Sequence, residues 1–458
     1  MRKKIAILGL ILILGMGKLV MAQVWEEIRP SDDLPVGALP DERNGHVLIQ
    51  QFVFGGFDQD NDLWILREEG GGNWRWEYVV AKGTAPSSRG GHSGIFVYEE
   101  LGQGIIIFGG SESSLGVPVD SDTYKLPNPW EPSPTWEKLE TTGTVPSARA
   151  EHTAVYGYSN KMIVFGGYTS TGPVNATNDT YTLDFNFTPA SWTKLNTFGD
   201  IPTACYGHSA VWGQMWEGEQ MIVFGGKDDS GELLNDSRGL DLGTTSWTKI
   251  NVTGGKPPAR WQHTAVWTWG EQGGEMIIFG GKGEGGTLLN DVWVLQGFSP
   301  EDWKWEKIYP IGDSPSARSG HAAVLGQGWE GQQMFIFGGF DRDGNLNDVY
   351  AFFRGEKVKE TLREKPFNAP NPFNPDTEET KICYYLDEEA DDVKIKLFTL
   401  TGELVYSWEN ISGRKGLNQW PWNGRNEKGR VVENGGYICL IEAGEKKQKC
   451  KIAVLRFR

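Results

Sequence analysis

The chain has 458 residues, including 61 Gly, 20 Trp, 6 His and 4 Cys, and its formal net charge is −16. The Gly residues show no three-residue period, which excludes collagen. The many Trp and the 38 % of apolar residues exclude an intrinsically disordered chain. The acidic balance argues against a nucleic-acid-binding protein, because such proteins need cationic groups to displace phosphate counterions.

Residues 1–22 have the three-part pattern of a secretory signal peptide. Arg2, Lys3 and Lys4 precede an apolar run over residues 5–16, and small residues lead to a cleavage site before Gln23. The run is shorter than the roughly 20 residues that cross a bilayer, and a membrane anchor is the alternative interpretation. The mature chain would carry 40 basic and 60 acidic residues, with no later stretch that is long and apolar enough to span a membrane.

A unit of 54–59 residues recurs six times between residues 23 and 355. In each unit a Pro-x-x-Arg-x-x-His signature precedes an apolar run that ends in a diglycine pair, and Asp-x-aromatic and Trp-x-x-aliphatic steps follow. The fourth unit departs from this pattern, with Cys205 in place of Arg and Arg238 in place of the aromatic residue. The diglycine pairs are Gly55-Gly56, Gly109-Gly110, Gly166-Gly167, Gly225-Gly226, Gly280-Gly281 and Gly338-Gly339, and the six His are His46, His92, His152, His208, His263 and His321.

Each unit reads as four short β-strands, and an array of short strands with periodic Gly and aromatic marks is typical of a β-propeller. The marks resemble the kelch repeat, which implies an all-β, six-bladed propeller over residues 23–355. The sixth unit lacks its Trp step, while an extra step stands at Trp25. We therefore expect the N-terminal strand to complete the sixth blade and to remove an open edge.

A different pattern follows a charged, Pro-rich linker over residues 356–370. Residues 371–458 contain about seven short strands, which suggests a β-sandwich. The run from Asn371 to Pro375, Trp422-x-Gly and Gly436-Tyr437 resemble FlgD-like, immunoglobulin-like C-terminal modules, which overlap with type IX secretion sorting domains. The resemblance implies delivery to the cell surface by a secretion machine, and a passive spacer is the alternative.

The cysteines allow two interpretations. Cys383, Cys439 and Cys450 lie in the C-terminal module, and a hairpin turn near Gly444 would place Cys439 opposite Cys450. An exported location permits a disulfide between them, whereas small apolar core residues are the alternative.

The His and Arg marks are candidate functional residues. A zinc or copper site needs three or four ligands that converge on one ion, whereas one His in each of six units indicates a repeated structural role. The Arg residues would either hold an anion at a channel mouth or pair with an acidic residue of their own or the next blade. They are Arg43, Arg89, Arg149, Arg260 and Arg318.

Two further features break the repeat. Insertions between the first and second strands of units four to six contain Trp216, Trp269 and Trp329, which would either stack against sugar rings at a channel mouth or pack between blades. The runs Asp58-x-Asp60-x-Asp62 and Asp341-x-Asp343-Gly344-Asn345 have oxygen ligands at a spacing that Ca²⁺ accepts. Polar turns between strands are the alternative for both runs.

The sequence predicts a secreted or cell-surface binding protein rather than an enzyme. The propeller loops would present a surface to a protein or glycan ligand, since rigid scaffolds with variable loops commonly gain function in this way. We expect no catalytic residues, no cofactor other than Ca²⁺, and no nucleic-acid partner. The alternative is an extracellular carbohydrate-active enzyme with a carboxylate pair at the channel mouth.

Overall fold

The computed structural model of the protein is all-β. The signal peptide predicted over residues 1–22 and most of the predicted linker lie outside the described residues. Within the described part, no helix has the length and apolar character needed to cross a membrane. The described residues are 23–28, 39–57, 61–70, 73–98, 103–114, 116–157, 159–169, 175–215, 218–270, 273–297, 302–312, 314–328, 331–354, 366–369, 373–376, 379–386, 388–414, 416–444 and 446–456.

Six antiparallel sheets form the blades of a propeller between residues 23 and 354. Its strands are β1 (Gln23–Ile28), β2 (Val47–Ile49), β3 (Phe52–Phe54), β4 (Leu63–Gly70), β5 (Asn73–Tyr78), β6 (Lys82–Gly83), β7 (Ser93–Val97), β8 (Gly104–Phe108), β9 (Thr123–Pro127), β10 (Thr135–Lys138), β11 (Thr141–Gly143), β12 (Thr153–Gly157), β13 (Lys161–Phe165), β14 (Thr180–Asp184), β15 (Ala190–Leu195), β16 (Phe198–Gly199), β17 (Ser209–Met215), β18 (Gly218–Phe224), β19 (Ser237–Asp241), β20 (Ser246–Lys249), β21 (Thr264–Gly270), β22 (Gly273–Lys282), β23 (Leu288–Gln296), β24 (Lys304–Ile308), β25 (Ile311–Gly312), β26 (Ala322–Gly328), β27 (Gly331–Phe340) and β28 (Asn345–Arg354). A 3-10 turn spans Glu284–Gly286.

Blades 1 to 5 are β2–β5, β7–β10, β12–β15, β17–β20 and β21–β24, and blade 6 is β26–β28 with β1. The first strand of each blade contacts the first strand of the next, and β26 contacts β2, so these six strands surround a central channel. First strands begin, and second strands end, on the same side of the propeller. We call this side the diglycine face, because the six diglycine pairs lie there; the loops between first and second strands lie on the opposite face.

The N-terminal strand β1 closes the ring. It pairs antiparallel with β28 from Gln23 opposite Arg354 to Ile28 opposite Val349. Trp25 is buried, and its ring lies 5.0 Å from that of Phe279 in blade 5. The strand that the order of the marks assigns to blade 6 therefore lies in that blade.

Neighbouring blades are joined by aromatic packing. In each blade the Phe before the diglycine pair contacts the His and the Trp marks of the next blade, with ring centroids 5.1–5.5 Å and 4.8–5.3 Å apart. Gly55 shows why the first Gly of the pair is needed: its φ is +68°, and a Cβ there would lie 2.7 Å from the carbonyl oxygen of Arg89 in the next blade. Only glycine combines this conformation with so close an approach.

The sequence pattern does not predict the short parallel strands on the outer edges of four blades. The connector that leaves one blade pairs with the outermost strand of the next, as β6 pairs with β10 and β25 with β1. Strands β11 and β16 do the same for blades 3 and 4. Gly83, Gly143 and Gly199 take φ values near +80° in three of these connectors. The added strands cover edges that would otherwise be open to other chains.

The C-terminal domain is a sandwich of two sheets, β29-β30-β33 and β32-β31-β34-β35. Three of its sequence motifs meet in one core, where the ring of Trp422 lies 5.5 Å from Phe373 and 5.8 Å from Tyr437. Cys439 lies directly opposite Cys450, and both are free thiols. The strands are β29 (Phe367–Ala369), β30 (Thr380–Leu386), β31 (Ala390–Thr399), β32 (Leu404–Gly413), β33 (Gly416–Trp422), β34 (Gly435–Ala443) and β35 (Lys446–Val454).

Candidate functional site

The six His marks are buried between blades. In four of them Nε2 lies 2.8 Å from a Ser or Thr hydroxyl of the preceding blade, as for His152 and Ser93. His46 instead contacts the carbonyl oxygen of Phe337 at 3.1 Å. Burial lowers the pKa of all six, to about 3 for His92, His208 and His321. The described part of the chain holds no group of three or more His, Cys, Asp or Glu placed to bind a metal ion.

The five Arg marks form buried ion pairs within their own blades. Each donates to both oxygens of an Asp at 2.5–3.4 Å and to the carbonyl oxygen of the first diglycine residue at 2.9–3.0 Å. The partner in blade 2 is Asp120, whereas Asp122 of the Asp-x-aromatic step pairs with Lys138. In blade 4, where Cys205 replaces Arg, Asp236 pairs instead with Arg238. The pairing interpretation of the Arg set thus agrees with the geometry.

A closed ring of backbone hydrogen bonds surrounds the channel mouth on the diglycine face. The residue before each His donates its N–H to the carbonyl oxygen of its counterpart in the preceding blade, at 2.7–2.9 Å. All six residues have φ between +50° and +69°. Glycine accepts this conformation most easily, yet two of the six positions hold larger residues. The ring consists of Gly45, Gly91, Glu151, Gly207, Gln262 and Gly320.

Glu151 and Gln262 meet across this ring from blades 3 and 5. The amide Nε2 of Gln262 donates to Oε1 of Glu151 at 2.8 Å. The other oxygen, Oε2, is buried without a hydrogen-bond partner. Burial raises the pKa of Glu151 to about 7, although the hydrogen bond from Gln262 and the charges of Lys282 and Lys227 act in the opposite direction. The mouth therefore holds a carboxyl group that ionises near neutral pH.

A comparison of the six blades shows where this face departs from its own repeat. The position after the Arg mark holds Asn44, Gly90, Ala150, Tyr206, Trp261 and Ser319, and the position after the diglycine pair holds Phe57, Ser111, Tyr168, Lys227, Lys282 and Phe340. Apart from Phe57 in blade 1, the large aromatic residues and the lysines at these two positions lie in blades 3 to 6. The rings of Tyr168, Tyr206 and Trp261 contact one another in a row, with centroids 5.6 and 5.7 Å apart.

These departures line a basin of about 900 Å³ on the diglycine face. We define the basin by Lys227, Trp261, Lys282, Phe340 and the loop over residues 283–286. The Nζ of Lys227 lies 4.9 Å from the Trp261 ring, and the Nζ of Lys282 lies 5.8 Å from Trp261 and 5.6 Å from Phe340. Bridges between Tyr206 and Lys227 and between Trp261 and Lys282 hold the backbone in place. The basin combines cationic and aromatic groups on a rigid scaffold.

The Trp insertions lie on the opposite face. Trp269 is 56 % exposed, whereas Trp216 and Trp329 lie outside the described residues. Two other Trp of this face pack between blades: Trp267 lies against Gly213 and Trp212 against Gly157, since a Cβ at either glycine would lie 2.7 or 3.2 Å from the indole. The use of Trp216, Trp269 and Trp329 for binding stays a prediction.

The proposed calcium ligands have local roles where the structure describes them. Oδ1 of Asp341 accepts the N–H of Asp343 at 2.8 Å, which closes a turn between β27 and β28. Asp62 is the partner of Arg43, and Asp58 and Asp60 lie outside the described residues. The polar-turn interpretation accounts for Asp341, and the pairing with Arg43 accounts for Asp62.

The basin and its neighbour Glu151 are not among the sites predicted from the sequence. Insertions stand out in the sequence because they change the length of the repeat. The basin arises from substitutions at two fixed positions of the repeat. Alignment of the six units against each other reveals Glu151 and Gln262 where four units have Gly, and this signal was available in the sequence.

Family models match both parts of the chain. The model for the KLHDC2/KLHL20/DRC7 Kelch-repeats domain matches residues 97–190 and 173–365. The model for the FlgD Ig-like domain matches residues 372–446. The two matches meet between the propeller and the sandwich.

Several known proteins are similar to the propeller part. Kelch domain-containing protein 2 of Bos taurus is 26 % identical over 385 residues, which are 78 % of this chain and 78 % of that protein. Acyl-CoA-binding domain-containing protein 5 of Arabidopsis thaliana is 29 % identical over 58 % of this chain, and the chain spans only 38 % of that protein. The solved structure of YjhT has a TM-score of 0.49 and 15 % identity, covering 68 % of this chain and 95 % of that one.

Proposed function

Since this chain belongs to the kelch-repeat family and continues into a FlgD Ig-like domain, we propose that it is a binding protein whose propeller loops hold a protein or glycan ligand. The basin supports this proposal. Lys227, Trp261 and Lys282 differ from their counterparts in blades 1 and 2, so the repeat itself does not require them. Aromatic and cationic side chains on a rigid concave surface are typical of binding sites.

A pair of Trp variants tests which face binds. Purified chain from Gln23 onward is applied to a glycan array and, in parallel, cross-linked to surface proteins of intact cells. Trp261→Ala alters the basin, and Trp269→Ala removes an exposed indole from the opposite face. We expect Trp261→Ala to weaken binding and Trp269→Ala to leave it unchanged. Binding that depends on Trp269 alone would move the site to the opposite face, and binding insensitive to both variants would contradict the proposal.

We further propose that the C-terminal domain directs export to the cell surface. The meeting of Phe373, Trp422 and Tyr437 in one core supports an intact module of the FlgD Ig-like type. Deletion of residues 371–458 should leave a folded propeller that does not reach the surface, as measured by surface labelling and by circular dichroism of the purified fragment. Unchanged delivery after the deletion would refute the role.

A second candidate is an extracellular carbohydrate-active enzyme, and Glu151 is the observation that favours it. A carboxyl group whose pKa is raised to about 7 suits a general acid at neutral pH. The enzyme would release product from a glycan, and Glu151→Gln would abolish release while retaining binding. Binding without product release favours the binding protein.

A further inference from the structure

We propose that the basin selects an anionic sugar, with its charged group held between the ammonium groups of Lys227 and Lys282 and its ring against Phe340. The inference rests on the proposed binding function and names the ligand class of the same site.

The ammonium groups of Lys227 and Lys282 are available to a ligand. Neither Lys227 nor Lys282 forms a salt bridge within the described part of the chain, although the protein has 60 acidic residues. Both are half-buried and are held by aromatic rings, Lys282 between Trp261 and Phe340. Ammonium groups held in a concavity without a salt bridge are complementary to a carboxylate or a phosphate. The aromatic contacts also reduce the freedom that a ligand must remove on binding.

The acidic groups around the basin are occupied or exposed. Asp341 accepts the N–H of Asp343 in its turn. Glu232 and Glu284 are exposed at the rim, where water and salt screen their charges. Glu151 lies below Trp261: a Cβ added to Gly207 would lie 3.0 Å from the indole and 3.1 Å from Oε2 of Glu151. A bound anion therefore contacts the ammonium groups of the lysines directly, whereas the carboxyl group of Glu151 lies beneath it and acts on it only through its charge.

The aromatic residues favour a sugar over a bare anion. Phe340 is 40 % exposed beside Lys282, so an apolar ring face can pack on it while the anionic group reaches the ammonium groups. A large acidic macromolecule is disfavoured because the chain has a net charge of −16 and would repel it at long range. A small anion interacts mainly within one Debye length, about 8 Å at physiological salt.

Glu151 makes the affinity depend on pH. Its carboxyl group faces Gln262, Tyr206, Lys227 and Lys282, and Asp229 lies near Tyr206. Because its pKa lies near 7, raising the pH from 6 to 8 adds a negative charge beneath the bound anion. For a sugar carboxylate, which is ionised throughout this range, affinity should fall by several-fold, and Glu151→Gln should remove the fall.

The test is titration calorimetry of the chain from Gln23 onward with D-glucuronate, D-glucose 6-phosphate and D-glucose. We expect either anionic sugar to bind about tenfold or more tightly than glucose, since glucose lacks the group that forms a charge-assisted hydrogen bond with the lysines. Tighter binding of glucuronate identifies a carboxylate, and tighter binding of glucose 6-phosphate identifies a phosphate. Lys227→Met with Lys282→Met should abolish the preference, whereas Lys82→Met, at an exposed lysine in β6, should retain it. Thermal melts of each variant confirm folding.

The outcomes separate this inference from the proposed function. Equal affinity for all three sugars, or a preference that survives the double Lys variant, would overturn the anionic-sugar assignment. If glycans or proteins still bind and depend on Trp261, the proposed function stands without it. If an acidic peptide competes more strongly than either anionic sugar, the ligand class is wrong although the face is right.

Discussion

Replacing Glu151 with Gln should stabilise the propeller at alkaline pH and have little effect at acidic pH. The folded-state pKa of Glu151 is about 7, raised by burial from an ordinary value of 4.5. A group whose pKa is higher in the folded state binds its proton more tightly there. The free energy of unfolding therefore falls as the pH rises from about 4.5 through 7, where the buried group must ionise. The rise in pKa corresponds to about 3 kcal/mol, which is an upper limit.

The assay is urea-induced unfolding of both proteins between pH 4.5 and 8.5. Glutamine has almost the same shape, and its Oε1 can still accept the hydrogen bond from Gln262. The variant does not titrate, so the difference in free energy of unfolding between variant and wild type should grow with pH and level off above about pH 8. Glu140→Gln, at an exposed carboxylate in the same propeller, is the control for net charge and should give a difference that is nearly constant.

Two results would refute this reasoning. A constant difference between Glu151→Gln and wild type would mean that Glu151 does not titrate in this range. A variant that is less stable at pH 8.5 would mean that the ionised carboxylate makes a favourable contact at the mouth, contrary to its buried and unpartnered Oε2. Glu151→Gly separates the backbone effect, because it also relieves the φ of +50° at every pH.

Three further predictions concern the repeat marks. Val47→Thr should add about 1 kcal/mol to the free energy of unfolding, because it gives Nε2 of His92 the hydroxyl partner that Thr153 gives His208. The control Val97→Thr buries a hydroxyl elsewhere and should destabilise the propeller. Equal melting temperatures for the two variants would contradict the prediction. Arg149→Met should lower the free energy of unfolding in urea by about 3–5 kcal/mol, because it leaves Asp179 without its buried partner. Arg67→Met, at the exposed pair with Glu77, should lower it by less than about 1 kcal/mol. Similar losses for the two variants would refute the distinction between buried and exposed ion pairs. Trp25→Ala should lower the free energy of unfolding by about 3–5 kcal/mol, because it empties the space beside Phe279 and Phe352. Limited proteolysis of this variant should release the N-terminal strand first. A variant as stable as wild type would show that β1 does not hold the ring closed.

The sequence predicts those features of the fold that every blade must repeat. A His that packs between blades and an Arg that binds both an Asp and a diglycine carbonyl recur because each blade meets the same neighbour in the same geometry. The closing strand follows from the same regularity, since one missing Trp step and one extra step identify the two halves of blade 6. The C-terminal motifs were predictive because Phe373, Trp422 and Tyr437 share one core.

The remaining features of the fold and of the site depend on contacts that the repeat pattern does not encode. In blade 2 the sequence offers Asp120 and Asp122, two residues apart, and only the three-dimensional structure shows that Arg89 binds Asp120. The short edge strands have two or three residues each, too few for a periodic pattern. Glu151 and Gln262 stand 111 positions apart in the chain, and their contact depends on how blades 3 and 5 are placed around the channel mouth, which no single repeat encodes.

The pairing of β1 with β28 has a consequence for the order of assembly. The two strands are more than 300 residues apart in sequence, so their hydrogen bonds cannot form until blade 6 has been synthesised. From then until β1 pairs with it, β28 presents an open edge from Val349 to Arg354, including the apolar Phe352 and Phe353, and such an edge attracts other unpaired strands. A bulky fusion partner placed directly before Gln23 would slow the pairing of β1 and so prolong the exposure of the β28 edge. The same fusion partner placed after the sandwich would not.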